Sequence, residues 1–265
     1  MYATSYHRAS SVEEAVQLRS AHEEGKYLSG GMTLISTMKQ RLAAPSDLVD
    51  LRHIPALRGI SIEGRRVKIG AATPHADVAA SRELRALCPA ICDLASHIGD
   101  PHVRQMGTIG GSIANNDPAA DYPAGLLGLG ATIVTDRRSI SADDFFVGLF
   151  ETALEEEEMV TAVTFEAPEK AGYAKFNNPA SRFAMTGVFV AKTVSGVRVA
   201  VTGAGSDGVF RHPGFEQALT SSWSADALAN VSVDPSSLLS DLHANAEYRA
   251  NLVKVMAKRA VAAAG

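Results

Sequence analysis

Long apolar runs are missing from this 265-residue chain. None approaches the roughly 18 residues that a membrane-crossing helix needs. Met1-Tyr2-Ala3-Thr4-Ser5-Tyr6 also lacks the charged-then-apolar order of a secretion signal, so a cytoplasmic location is expected. Cysteine is nearly absent. Cys88 and Cys92 are too few to ligate an iron–sulfur cluster and are expected to be buried free thiols. Excess charge of one sign is lacking too: 25 Lys and Arg stand against 29 Asp and Glu, a net of −4. The basic pairs Arg65-Arg66 and Arg137-Arg138 read as turn residues, which argues against a nucleic-acid footprint. His75, His102 and His212 show no interval that would put two ligands on one face, so no metal site is expected in this chain.

Glycine, by contrast, is plentiful and clustered. Ser29-Gly30-Gly31-Met32-Thr33-Leu34 follows a short apolar stretch at Lys26–Leu28, and Gly107-Thr108-Ile109-Gly110-Gly111-Ser112 lies far downstream. Glycine pairs let backbone N–H groups crowd around an anion with no Cβ in the way, and the flanking Ser and Thr hydroxyls add donors. Two such loops are expected to grip the diphosphate of one dinucleotide from two sides. A third cluster, Gly203-Ala204-Gly205-Ser206-Asp207-Gly208, matches a dinucleotide fingerprint in letters only. Val209-Phe210-Arg211-His212-Pro213 cannot open the helix that the fingerprint requires, so a loop is expected there.

Patterning along the chain predicts an α+β fold. Ser10 or Ser11 caps a helix with Val12, Ala15, Val16 and Leu18 on its apolar side. A strand at 26–28, a helix from Thr33 to Arg41 and a buried strand at 47–51 complete a first subdomain of about 1–54. A second, 55–167, opens with a hairpin (60–62 with 67–70, Gly64 in the turn) and continues with helices at 73–80 and 89–97. Asp143-Asp144-Phe145-Phe146-Val147-Gly148 reads as aromatic packing beneath a sheet, and Glu155 to Glu158 as a solvated loop. A strand at 159–165 closes this region, and 168–172 is a linker. Residues 172–265 then offer three antiparallel strands and a mostly helical tail. Its last helix, about 244–263, is expected to put Tyr248, Leu252, Val255, Met256 and Arg259 on one side.

Ser29–Leu34, Ile69-Gly70-Ala71-Ala72-Thr73, and Thr108–Ser112 followed by Asp117-Pro118-Ala119-Ala120-Asp121 resemble, in order and spacing, the FAD-binding medium subunits of molybdenum hydroxylases. The resemblance covers nearly the whole chain and is strongest to the aerobic carbon monoxide dehydrogenase type, with the flavin domain of xanthine dehydrogenase more distant. It implies a two-subdomain FAD-binding domain of the vanillyl-alcohol-oxidase-like (PCMH) type over 1–167, then a C-terminal domain of the carbon monoxide dehydrogenase flavoprotein type. It further implies non-covalent FAD held by Ser29, Gly30, Gly31, Met32, Thr33, Leu34, Thr108, Gly110, Gly111 and Ser112. Ile98 would pack on the cofactor, Asn115 would add a polar contact, and Asp121 would meet the ribose hydroxyls, with Asp117 as the competing acid. Val160 and Lys175 would approach the isoalloxazine, and Phe183 would screen one face of it. The acid that often precedes that aromatic residue is Arg182 here.

The implied partners are a large subunit carrying a molybdenum cofactor and a small subunit carrying two 2Fe-2S clusters, as a dimer of heterotrimers. The implied chemistry is electron relay, from a cluster through FAD to a quinone, NAD or oxygen. A self-contained flavin reductase of the same fold, or a scaffold that has lost FAD, are the rival readings.

Overall fold

A computed structural model describes residues 1–264, and the elements below are those of these residues. Strand β1 (Ser5–Arg8) leads into helix α1 (Val12–Ser20). Ser11, of the two candidates, is the cap: its Oγ accepts from the Glu14 N–H at 3.1 Å, while Glu13 and Glu14 sit where the helix dipole favours acids. Strand β2 (Lys26–Leu28), helix α2 (Leu34–Lys39) and strand β3 (Asp47–Asp50) follow. The three strands form a small all-parallel sheet in the order β1-β3-β2. Its middle strand is wholly buried, and the glycine loop leaves from the carboxyl end of β2.

The hairpin β4 (Ile60–Glu63) and β5 (Arg66–Gly70) turns at Gly64, whose φ of +61° suits glycine. Helices α3 (His75–Ala80), α4 (Arg82–Leu87) and α5 (Pro89–Ser96) come next. The central stretch is more helical than its glycines suggest: it contains α6 (Pro101–Met106) and α7 (Ile109–Asn115), capped by Asp100 and Thr108. Helix α8 (Asp121–Leu129) is buried along its whole length. Strands β6 (Thr132–Thr135) and β7 (Ser139–Ser141), helix α9 (Ala142–Phe145) and the short pair β8 (Phe146–Gly148) and β9 (Glu151–Thr152) precede β10 (Val160–Glu166). The second sheet runs β4-β5-β10-β6-β7. Phe145 is fully buried and meets Phe146 edge-on at 5.1 Å, the packing role expected of that motif.

Strand β11 (Lys170–Asn177) begins inside the expected linker, and β12 (Ala184–Thr193) and β13 (Gly196–Thr202) pair with it as antiparallel neighbours. The expected three-stranded sheet is four-stranded: β14 (Phe210–Arg211) adds an edge too short to show periodicity. Residues 203–209 form a loop, as expected of the false fingerprint, with Gly203 and Gly208 at positive φ and the buried Arg249 donating to the Gly203 carbonyl at 2.8 Å. Helices α10 (Pro213–Ser221) and α11 (Ala246–Ala263) complete the chain. The inward face of α11 is Arg249, Leu252, Val253, Met256, Ala257, Ala260 and Val261; it keeps Leu252 and Met256 of the predicted stripe, with Val255 half-buried beside it, but not Tyr248 or Arg259. Tyr248 is 43% exposed and Arg259 lies outside. Ala257 and Ala260 join this face because the helix rides close to the sheet there, where a Cβ on Gly172 would strike the Ala260 carbonyl.

The largest core cluster joins the second sheet, α5, α7 and α8 to inward residues of the C-terminal sheet such as Tyr173, Phe189 and Ala200. Cys88 and Cys92 are buried free thiols within it, and burial raises them to about 12 and about 11 respectively, so neither is a nucleophile at neutral pH.

One expectation fails in the acidic run. Glu158 is 5% exposed and accepts from Arg138 (Nε 2.9 Å, Nη2 2.8 Å), Thr135 Oγ1 (2.8 Å) and the Glu155 N–H (2.8 Å). The Arg138 hydrogen bonds above all hold its carboxyl down at about 2, against an ordinary 4.5. A depressed carboxylate stabilises the fold at pH above its unfolded value, and that stability is lost as pH falls from about 4.5 through about 2. Because Arg138 is 43% exposed, the contribution is about 1–2 kcal/mol after solvent screening. Urea unfolding followed between pH 5 and about 2 should show that loss in the native chain and a flatter dependence in Glu158→Gln.

Candidate functional site

The two glycine motifs meet. Ser29 Oγ and Thr108 Oγ1 are 2.8 Å apart, and a Cβ on Gly30 would run into the Met106 carbonyl, so the first loop lies flat against the chain just before α7. Between them opens a cavity of about 650 Å³, within the range of about 300–1,000 Å³ typical of ligand sites. Every site residue expected from the sequence lines it except Lys175, and Asp117 and Phe183 line it too. Phe183 reaches it because the β11–β12 loop folds back on the central stretch, with Arg182 Nη1 donating to the Gly99 carbonyl at 3.4 Å.

The motifs differ in what they offer. Among the described residues, the backbone N–H groups of Gly30, Gly31, Met32 and Thr33 have no hydrogen-bond partner. Gly31 sits at φ +71°, a conformation open to glycine at little cost, and so turns the chain tightly enough for successive N–H groups to converge. The second motif departs from the expected bare-backbone turn. It is the first turn of α7, and its donors are taken: Ile109 N–H by the Thr73 carbonyl (3.2 Å), Gly110 N–H by Ala71 (2.8 Å), Gly111 N–H by Thr108 Oγ1 (3.2 Å) and Ser112 N–H by the Thr108 carbonyl (3.0 Å). Gly110 is glycine because Ala71 packs against it, whereas a Cβ on Gly111 would meet little beyond Thr108 Oγ1 at 3.0 Å. The second motif is therefore a close-packed wall with a smooth patch at Gly111 and the Ser112 hydroxyl beside it.

Asp121 stands at the start of α8, 4% exposed, and its carboxylate is already engaged. Tyr173 Oη donates at 2.5 Å and Lys175 Nζ at 2.9 Å. Burial raises its pKa, against the opposing pull of Lys175 and Tyr173. Lys175, with its side chain 2% exposed, also donates to the His97 carbonyl at 3.1 Å. The ammonium expected at the edge of a flavin is thus part of a buried pair just behind the cavity wall. Asp117 Oδ1 accepts from the Ala119 N–H at 2.9 Å and organises the Asp-Pro turn.

Other lining residues carried no pattern in the sequence. His75 is 4% exposed, its Nδ1 has no partner, and burial next to Arg104 lowers its pKa to about 4; a neutral imidazole thus faces the cavity. Glu155, Glu156 and Glu157 also line the cavity, with Arg137 on Glu155 (3.3 Å) and Arg19 on Glu157 (3.4 Å).

Residues 2–167 match the family described as the FAD binding domain in molybdopterin dehydrogenase. The chain belongs to this family. It is 34% identical to the nicotine 6-hydroxylase medium subunit of Paenarthrobacter nicotinovorans over 98% of this chain and 96% of that one. Its structure superposes on a carbon monoxide dehydrogenase chain from Hydrogenophaga pseudoflava with a TM-score of 0.85, at 34% identity and 99% and 97% coverage. A quinoline 2-oxidoreductase chain from Pseudomonas putida 86 superposes with a TM-score of 0.88, at 25% identity, 99% and 97% coverage. The chain accordingly has the α+β, PCMH-type fold of an FAD-binding subunit, and it serves an oxidoreductase complex. Among the described residues no helix is long and apolar enough to cross a membrane.

Two substitutions separate cavity from scaffold. Gly111→Val adds a side chain at the cavity wall against Thr108 Oγ1 (3.0 Å from its Cβ), so it should weaken FAD binding by about tenfold or more, equivalent to about 1.4 kcal/mol, while lowering the melting temperature of the FAD-free chain less than Gly110→Val, whose Cβ would strike Ala71. Asp121→Asn leaves the Lys175 ammonium buried without its counter-ion and should cost about 3 kcal/mol in urea unfolding; adding Lys175→Met should recover part of that loss.

Proposed function

We propose that the N–H groups of Gly30, Gly31, Met32 and Thr33 hold the FAD diphosphate, with the wall at Thr108, Gly111 and Ser112 facing them across the cavity. The carrying observation is that run of unpartnered donors, which is costly to bury unless an anion answers it. Ile98, Val103 and Phe183 supply apolar contact and exclude water, Asn115 supplies a polar contact, and the Val160 backbone borders the ring end. Asp121 and Lys175 act as a pair: the carboxylate at the cavity wall holds the ammonium behind it, and the two charges neutralise one another. FAD bound there supplies one- and two-electron chemistry.

In this reading the chain is the relay of a molybdenum hydroxylase. A small subunit with two 2Fe-2S clusters delivers electrons that a large molybdenum-cofactor subunit took from substrate, in a dimer of heterotrimers located in the cytoplasm. Quinone, NAD or oxygen is the outlet. Substrate choice belongs to the large subunit, as relatives named for nicotine and carbon monoxide suggest. The chain divides at 167, with the flavin domain before it and the C-terminal domain from 172 onward. A self-contained reductase would need its own proton donor from the C-terminal region, and the sole cavity-lining residue beyond 172 among the described residues is Phe183.

Purification of the chain, followed by reconstitution with FAD where needed, tests the assignment. One FAD per chain, released intact by denaturation, is expected. No bound flavin under any reconstitution condition would refute it.

A further inference from the structure

Toward the amino end of the small parallel sheet, whose carboxyl end feeds the glycine loop, three ligand-type side chains converge. The nearest donor atoms of His7, His22 and Asp47 all lie within 4.8 Å of one another. His7 Nε2 is 2.6 Å from Asp47 Oδ1, and His22 Nδ1 is 3.4 Å from Asp47 Oδ2. The two imidazoles stack at 4.9 Å between centroids with 24° between their planes, so both aim a ring nitrogen at the same carboxylate. None of the three lines the FAD cavity.

We propose that His7, His22 and Asp47 form a binding site for one divalent transition-metal ion of the zinc class. Two imidazoles and one carboxylate select zinc, nickel or copper over magnesium and calcium, which prefer oxygen ligands throughout. Ligand bonds of about 2.0–2.2 Å in tetrahedral array place ligand atoms about 3.3–3.6 Å apart. The two histidines meet different oxygens of Asp47, at 2.6 and 3.4 Å; with one ligand atom from each residue the three already lie within 4.8 Å of one another, so side-chain shifts of about 1 Å bring them to that spacing.

The backbone fixes each ligand beforehand. Residue 7 pairs with Val49 and residue 5 with Asp47 in the β1–β3 register. His22 sits in a tight turn whose carbonyl accepts from the Gly25 N–H at 2.8 Å and from Arg19 Nη1 at 2.9 Å. Arg19, the neighbouring cation, is itself answered by Glu157 at 3.4 Å. The histidine side chains are 27% and 34% exposed while the Asp47 side chain is 9% exposed, so the site has a buried anchor and an outward position for water. Bound metal would staple β1, the α1–β2 turn and β3 together.

Calorimetry and thermal melting of the untagged, chelator-stripped full chain with zinc chloride, nickel chloride and magnesium chloride test this. One zinc or nickel ion per chain is expected, with a rise in melting temperature of about 5 °C at a hundredfold excess over Kd, no response to magnesium, and unchanged flavin absorbance. His22→Ala and Asp47→Asn should each abolish the response, every variant being judged against its own metal-free melt. His22→Ala decides alone if Asp47→Asn does not fold, because the turn is closed by main-chain bonds that the substitution keeps. A melt unmoved by zinc and nickel, a response that survives in His22→Ala, or equal binding of magnesium would overturn the site and leave a plain histidine–carboxylate cluster.

Discussion

The site exists because two hydroxyls from opposite parts of the flavin domain touch. Ser29 ends the first parallel strand unit and Thr108 caps α7; their bond registers the small sheet against the larger one. Around that point the glycines have separate jobs. Gly30 and Gly110 permit the close approach of backbone to backbone, Gly31 makes the turn, and Gly111 leaves room. Move the contact, and donors and wall no longer face each other. Water can serve the unpartnered N–H groups there, and an anion can serve them better.

A second node lies behind the cavity. Asp121 is the first residue of a fully buried helix, and its partners Tyr173 and Lys175 come from the C-terminal sheet. Arg198 repeats the arrangement at the other end of α8, donating to the Leu127 carbonyl and to Asp143. The C-terminal sheet is thus bolted to both ends of the helix that backs the site. A charge pair buried this deeply contributes little net stability but tolerates no loss of one partner, so it specifies one docking geometry.

The sequence made the glycine motifs plain because glycine carries its reason in its letter, and the residue intervals around them were enough to group Ser29 with Thr108. It could not show that α7 starts inside the second motif, since a Gly-Gly pair argues against helix and only the Thr108 cap and the Ala71 contact overrule it. Burial of Glu158 was hidden because its partner Arg138 lies across a strand turn. The inward face of α11 was only half legible: Leu252 and Met256 point in as expected, but Tyr248 outweighs Ala257 and Ala260 on any apolar scale, while close packing at Gly172 rewards the small side chains. His7, His22 and Asp47 come from three separate segments with no shared spacing, so only the β1–β3 register unites them.

Strand β3 is four residues long with an acid at each end. Asp47 faces the two histidines, while Asp50 is neutralised by Arg52 at 2.7 Å and by the Tyr6 hydroxyl at 2.5 Å, and Leu51 just beyond it donates to the Leu28 carbonyl at the root of the glycine loop. Mechanically it is a strut about 10 Å long. Whatever immobilises one end lowers the entropy left for the other end to lose, so the two ends of this strand are ordered together.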